Sequence, residues 1–358
     1  MSFSDRAAQL TEWLAEENID AALLTSLHDV RWLTGFTGSS GNAVVTGDQV
    51  TFITDFRYTE QAAAEVPSEF QTVIADGPLR KEVLKAAEGC SSLAFDPSQL
   101  TALELAELEG EAGSSIEIHA HKELVTAFRA VKDGAELAAI AAAAELADDA
   151  FVAVVEAGLV GRTEADIAWA LEVKAREFGA EGMSFPPIVA SGPHGALPHA
   201  TPRDVEVEPD QLVVIDWGVQ LDGYCSDCTR TVATGDPGSK ARDVHATVDK
   251  ARIEGLEAVR PGPTGAEVDA VARTLISEAG FGEFFGHGLG HGVGLEIHEA
   301  PGLGKTGKMP LREGMVVTIE PGIYLPGEFG VRIEDLAVVT ADGCRLLTNL
   351  QRELQIVG

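Results

Sequence analysis

Two periodicities alternate along this chain, and the points where one gives way to the other separate its parts. Over residues 4–17 apolar positions recur at helical spacing among charged ones, which predicts an amphipathic helix. Residues 21–24, 43–45 and 50–54 are short apolar runs that read as strands, and the alternation of the two patterns continues through 115–118. Residues 1–125 are therefore expected to form an α/β domain. Within it, Gly35-Phe36-Thr37-Gly38-Ser39-Ser40-Gly41 lacks the Gly-Lys-Ser/Thr ending of a phosphate loop and precedes a strand, so it is read as a turn. Asp55-Phe56-Arg57-Tyr58 follows a strand and is expected to cap the next helix. Residues 121–133 read as a polar connection and 133–157 as an alanine-rich helix. The domain boundary is placed there, giving units 1–125 and 126–358.

The second unit repeats itself. Gly161-Arg162-Thr163-Glu164-Ala165-Asp166-Ile167 opens a helix, and Gly262-Pro263-Thr264-Gly265-Ala266-Glu267-Val268 opens another 101 residues later, each with a Thr N-cap and an acid at the third helical position. Each follows a long helix and precedes a strand region with a hairpin. The first hairpin starts at Leu212-Val213-Val214-Ile215 and turns near Asp222-Gly223. A two-residue loop at Leu221-Asp222 sets Asp216 opposite Asp227, whereas a loop at Asp222-Gly223 sets Asp227 opposite Gly218 and diagonal to Asp216. Both registers leave the two aspartates on one face. In the second hairpin Met315-Val316-Val317-Thr318-Ile319 leads into Glu320 and Val331-Arg332-Ile333 into Glu334. A turn centred on Gly327 sets the two glutamates opposite each other. A duplicated helix-helix-strand-hairpin unit related by a pseudo-two-fold axis would bring these acidic hairpins face to face.

Composition narrows the class of partner. The chain has 358 residues, 57 Asp and Glu against 26 Lys and Arg, and a formal net charge of −31. Nucleic acid is thereby excluded as a partner, because phosphate binding needs a basic stripe. Acids spread along the whole chain, with 9 lysines against 17 arginines and abundant alanine, read as a salt-adapted, halophilic surface. No stretch approaches the ~18 apolar residues that span a bilayer, and the charged first helix is not a signal peptide. Cys90, Cys225, Cys228 and Cys344 are expected to be free thiols in a cytoplasmic, reducing compartment. Cys225-x-x-Cys228 has no second pair at zinc-site spacing, and in a strand its side chains point to opposite faces.

Carboxylates sharing an otherwise apolar face repel one another and lose hydration, so a positive group is expected between them. Asp216, Asp227, His291, Glu320 and Glu334 offer four oxygen donors and one imidazole. That set is too rich in carboxylate for one structural zinc and suits two divalent ions with a bridging water as nucleophile. Oxygen-rich ligation favours Mn2+, with Co2+, iron or Zn2+ also able to occupy it. His199, in the Gly- and Pro-rich loop Ser191-Gly192-Pro193-His194-Gly195-Ala196-Leu197-Pro198-His199, is paired by the repeat with His298. Both are assigned to oxyanion stabilisation and proton traffic beside the metals. Arg332 shares a strand face with Glu334, where it would orient that ligand or hold substrate. His28, His119, His121, His194 and His245 are read as structural.

ALPHA at 196–200, VVIDWG at 213–218, GYCSDCTRT at 223–231, GHGLGHGVGLEIHE at 286–299, TIEPG at 318–322 and VRIED at 331–335 closely resemble the Xaa-Pro peptidases, prolidase and aminopeptidase P. VRWLTGFTGSSGNAVV extends the resemblance to a creatinase-type N-terminal domain. The resemblance implies an α/β N-terminal domain followed by an α+β pita-bread catalytic domain with an internal pseudo-two-fold duplication. It also implies two metals held by Asp216, Asp227, His291, Glu320 and Glu334, with Glu320 doubling as proton shuttle and His199, His287, His298 and Arg332 around the substrate. The expected substrates are small peptides with a free N-terminus and proline second. The N-terminal domain is expected to cover the cleft and support a homodimer. A dipeptidase is preferred over aminopeptidase P because a short chain leaves little room for insertions that build an extended groove. A catalytically dead peptide-binding protein on the same fold is the remaining class, and retention of all five ligands argues against it. Trp217 and Cys228 sit beside ligands at positions where the family more usually has other residues.

Overall fold

The computed structural model describes every residue except Asp48, Glu123 and Gly358. The chain divides into two compact units, Met1–Arg129 and Ala130–Gly358. The division falls inside a short helix, Thr126–Ala130, that was expected to be part of a polar connection. A five-residue helix completes little more than one turn, so it leaves no periodic signature to read.

Unit 1 is a six-stranded mixed sheet in the spatial order 71–75, 50–55, 42–46, 21–24, 92–95, 117–120. The strands expected near 21, 43 and 50 are Ala21–Leu24, Asn42–Thr46 and Val50–Asp55. The first helix, Phe3–Glu17, is closed at its start by a capping box between Ser2 and Asp5 and at its end by Asn18 in the left-handed region. Leu10 and Leu14 on one face are buried. The Gly35–Gly41 stretch is a connection leading into Asn42–Thr46, fixed by the Thr54 hydroxyl donating to the Ser40 carbonyl at 2.6 Å. Asp55 does cap, accepting from the Arg57 N–H. What it caps is a single 3-10 turn, Phe56–Tyr58, placed ahead of the helix Thr59–Glu65.

Unit 2 contains the duplication. The long helix Gly134–Glu156, capped by Asp133, packs on Glu164–Phe178, and one repeat later Ser239–Ala258 packs on Gly265–Glu278. Thr163 and Thr264 each close a capping box with the acid at the third helical position, Asp166 and Glu267. Each threonine also forms an isolated antiparallel bridge to a later segment, Thr163 to Glu206 and Thr264 to Pro310. Every half has its own apolar core. Phe151, Leu171, Ile215 and Trp217 lie in the first, and Val248, Val268, Leu289, Ile319 and Ile333 in the second.

The hairpins settle the question of register. Strand Leu212–Trp217 pairs with Cys228–Ala233 so that Asp216 faces Thr229, and Val219–Leu221 pairs with Tyr224–Cys225 around a turn at Asp222-Gly223. Asp222 and Gly223 both have positive φ, 47° and 71°, as the hairpin turn whose twist matches its strands requires. Asp227 therefore lies diagonal to Asp216, and the Leu221-Asp222 loop is excluded. In the second hairpin Ile319 faces Asp335 and Gly322 faces Arg332 around Gly327, the register that sets Glu320 against Glu334. Both hairpins lose regular strand pairing at the acids, near 218 and 226–227 in one and 320–321 and 333–334 in the other. Asp227, Glu320 and Glu334 thus sit in the breaks where each ribbon passes between two sheets, and Asp216 is paired two residues before one.

Candidate active site

Strand alternation decides which side chains reach the site. Ile215 and Trp217 enter the first core, where the Trp217 indole stacks on Phe151 at 4.4 Å and donates to the Ala147 carbonyl at 2.8 Å. Cys228, the register partner of Trp217, is buried in the same core. Trp217 and Cys228 thus share the face opposite that of Asp216. Cys225 and Cys228 are both free thiols.

Glycine permits the approach of the backbones. A Cβ on Gly218 would meet the Ser226 carbonyl oxygen at 1.9 Å, and one on Gly290 the Thr318 carbonyl oxygen at 2.0 Å. His291 sits on the strand Gly290–Gly292 that this second contact admits. Its Nδ1 lies 3.0 Å from the Gly292 carbonyl, so Nδ1 carries the proton and Nε2 presents its lone pair. Nε2 is 3.5 Å from Asp227 Oδ2 and 3.4 Å from Glu320 Oε1. Burial pushes the imidazole pKa down and so favours this neutral form.

The two hairpins meet as the pseudo-symmetry requires. The Glu334 N–H donates to the Thr229 carbonyl at 3.0 Å, the Thr229 hydroxyl donates to Glu334 Oε2 at 2.7 Å, and the Thr231 hydroxyl donates to the Arg332 carbonyl at 2.9 Å. Asp227, His291 and Glu334 each offer a ligand atom within 4.8 Å of the others. Asp216 Oδ1 and Glu334 Oε1 are buried and have no hydrogen-bond partner. Unsatisfied buried acceptors are rare unless something else engages them. Desolvation, reinforced by the neighbouring acids, pushes Asp227 and Glu334 well above the usual carboxylate range, and desolvation raises Glu320 to about 7. Orphaned acceptors, crowded carboxylates and one neutral imidazole are the donor set of a cation site, and the residues present fit divalent metal.

A cavity of about 500 Å³ opens onto this cluster, and its wall includes all nine residues singled out in the sequence: His199, Asp216, Asp227, His287, His291, His298, Glu320, Arg332 and Glu334. The His298 ring lies 4.4 Å from that of His291. His199 is exposed at the wall. Arg332 is buried and closely held, its Nη2 donating to Asp216 Oδ2 at 2.6 Å, Nη1 to Tyr324 Oη at 2.8 Å and the Pro198 carbonyl at 3.2 Å, and Nε to Thr229 Oγ1 at 3.0 Å. The carboxylate it orients is that of Asp216, across the site, and not that of its strand neighbour Glu334. His287 Nδ1 lies 2.7 Å from the Gly288 carbonyl, which leaves Nε2 to accept from the Tyr324 hydroxyl at 2.9 Å.

Tyr324 and Thr229 were not singled out in the sequence. Thr229 is the register partner of Asp216, and Tyr324 follows Gly322, the partner of Arg332, by two residues on the same strand. Register plus period-2 alternation would have found both. The apolar part of the wall, Phe185, Pro186, Pro187 and Ile188, carried no chemical signal beyond two adjacent prolines.

Residues 138–341 match the model of metallopeptidase family M24, and residues 6–131 match the creatinase/prolidase N-terminal domain. The chain is 36% identical to a Xaa-Pro dipeptidase of Pyrococcus horikoshii over 98% of its own length and 99% of that protein's. Among solved structures, a Xaa-Pro dipeptidase from Bacillus anthracis superposes with a TM-score of 0.96 at 38% identity, covering 99% of this chain and 100% of that one. An X-Pro aminopeptidase from Thermotoga maritima superposes with a TM-score of 0.89 at 36% identity, covering 98% of this chain and 100% of that one.

Proposed function

The chain belongs to metallopeptidase family M24, and on that premise we propose that it is a metal-dependent Xaa-Pro dipeptidase. The observation that carries this reading is the convergence of four carboxylates and one imidazole, with two buried acceptor atoms left unbonded, on the wall of a cavity partly lined by apolar residues. Asp216, Asp227, His291, Glu320 and Glu334 would hold two divalent ions, Mn2+ in preference to Co2+ or Zn2+ because the donors are mostly oxygen. When bound, such ions supply Lewis acidity and water made acidic enough to be deprotonated near neutral pH.

The rest of the chemistry belongs to side chains. A bond before proline has a tertiary nitrogen and no N–H, so its departure needs a proton delivered to that nitrogen. Glu320, which accepts from the Thr318 hydroxyl at 3.2 Å, would move that proton. His298 and His199 would donate to the oxyanion and the substrate carbonyls, and Phe185 with Pro186 and Pro187 offers an apolar surface for the pyrrolidine ring. His287, Tyr324 and Arg332 form a bonded row that fixes this side of the cavity. The same reading includes a cytoplasmic location, supported by the free thiols Cys225, Cys228 and Cys344, and a homodimer, supported by family resemblance alone.

The test is Mn2+-loaded hydrolysis of Ala-Pro against Ala-Pro-Ala, Ala-Ala and N-acetyl-Ala-Pro. Ala-Pro is expected to be preferred. Comparable cleavage of Ala-Ala, or efficient cleavage of the acetylated peptide, sinks the assignment. The solved X-Pro aminopeptidase matches the chain over nearly its full length, so a strong preference for the tripeptide moves the protein to that activity. A folded chain that binds metal and cleaves none of them would be a peptide-binding protein.

A further inference from the structure

His199 stands on a segment with little regular structure of its own: one 3-10 turn, Gly192–Ala196, followed by irregular chain to Arg203. Its backbone can make few ladder bonds, so something outside it must fix its path. The residue that does so lies outside the cavity wall. Glu164, the first residue of the helix Glu164–Phe178, is fully buried. Its Oε1 accepts from the Ser191 N–H at 2.9 Å, the Ser191 hydroxyl at 2.8 Å and Arg203 Nη2 at 2.9 Å. Its Oε2 accepts from His194 Nδ1 at 2.9 Å, the Arg203 N–H at 3.0 Å and Arg203 Nε at 3.0 Å.

One carboxylate thus serves six donors from three residues, and those residues are the two ends and the turn of the segment that carries His199. Burial alone would raise the Glu164 pKa, but the bonds from Arg203 and Ser191 outweigh it and bring it to about 2, so the group stays ionised. On the other side, the Pro198 carbonyl accepts from Arg332 Nη1 at 3.2 Å, one residue before His199. The segment is strung between a buried anion behind it and a buried cation in the site.

We propose that Glu164 is a positioning residue for the reaction: it holds the segment 191–203 in the path that presents His199 to the cavity, without itself touching substrate. This rests on the reading that His199 serves the site. Glutamine at 164 would replace one three-fold acceptor by an NH2 that faces donors, which no rotation of the amide relieves.

The experiment is a double-mutant cycle on Ala-Pro hydrolysis with Glu164→Gln and His199→Ala, joined to hydrogen exchange of residues 192–202. Glu164→Gln is expected to lower kcat about 10- to 100-fold, up to the low end of the scale for losing an acid-base partner such as His199 itself, with KM and metal content little changed and exchange of the segment raised. In the His199→Ala background it should cost less than about two-fold, because the residue it acts through is already gone. A full additional loss in that background, or unchanged kcat in the folded single variant, overturns the proposal. Full kcat in His199→Ala alone overturns it too, together with the role given to His199. Should Glu164→Gln not fold, Arg203→Ala and Ser191→Ala each remove part of the network, and unchanged kcat in both has the same force. Exchange reads the clamp whatever the substrate proves to be, so unchanged exchange refutes the proposal even if the peptidase reading fails.

Discussion

Asp227 and Glu334 bear the heaviest electrostatic load in the site, since both are buried among other carboxylates and both are pushed well above their ordinary ionisation range. Converting either to its amide keeps the shape and removes the charge. Asp227→Asn and Glu334→Gln should each abolish hydrolysis and lower metal stoichiometry in a protein that still folds. Elemental analysis of the purified variants decides it, and either one retaining two ions with near-normal turnover breaks the assignment of ligands. His298 lies beside the proposed ligand His291 without belonging to the group of converging donor atoms. His298→Ala should leave metal content near two per chain while turnover falls by roughly 10² or more, the scale of a lost oxyanion or acid-base partner. Tyr324 gives a different pattern. Its hydroxyl accepts from Arg332 and donates to His287, so Tyr324→Phe leaves a buried guanidinium short of an acceptor. A cost of about 1–3 kcal/mol corresponds to roughly 5- to 150-fold in kcat/KM for Ala-Pro, and an unchanged value would show that the row only packs.

At the scale of the element, what could be read beforehand and what could not have one cause. A hairpin announces itself through local chemistry: Asp222-Gly223 demands a tight turn, and the two-residue period then assigns each side chain to a face. That is why the two acidic ribbons and their facing arrangement were legible, whereas His199 and His298 were paired by the repeat and His287 was pointed to by resemblance alone. The same period explains Asp335, one residue beyond Glu334 and therefore on the other face, where Arg230, Arg252 and Arg352 hold it away from the cavity wall. What was hidden depends on distant partners. The helix Thr126–Ala130 is too short to show a period, and the clamp of Glu164 on residues 191–203 joins parts of the chain that nothing local connects. Backbone contact gives the element its own test. Gly218 and Gly223 belong to one hairpin: a Cβ on Gly218 would stand 1.9 Å from the Ser226 carbonyl oxygen, whereas Gly223 supplies a turn φ of 71°. Gly218→Ala should cost about 3 kcal/mol or more and lower metal affinity, because relieving the clash moves the segment that carries Asp227. Gly223→Ala strains a positive φ at the turn, at about 1–2 kcal/mol, and should leave metal binding intact. Denaturant unfolding and metal titration of both variants separate the two effects. Equal losses of metal would show that Gly218 matters only as a turn glycine does.

For the whole molecule the governing quantity is a formal net charge of −31, with 57 acids against 26 bases. Some of those bases cannot offset the surface. Arg230, Arg252 and Arg332 are buried, two of them on Asp335 and the third on Asp216, so the exterior is left with few cations among many acids. Surface pairs such as Lys240 with Glu328 and Arg242 with Asp236 remain, but exposed pairs contribute about 0–1 kcal/mol each and weaken in salt. Two effects of salt therefore compete: it screens these few attractions and it screens the repulsion among the many acids. With more than twice as many acids as bases, relief of repulsion should win. The midpoint of thermal unfolding is expected to rise with KCl. Most of the rise should come below about 1 M, since the Debye length has already fallen from about 10 Å at 0.1 M to about 3 Å there. A rise that continues undiminished past that point would indicate salt exclusion from the surface rather than screening. A midpoint that does not move between about 0.1 M and 2 M, concentrations that span this fall in Debye length, would remove the salt-adapted reading of the composition altogether.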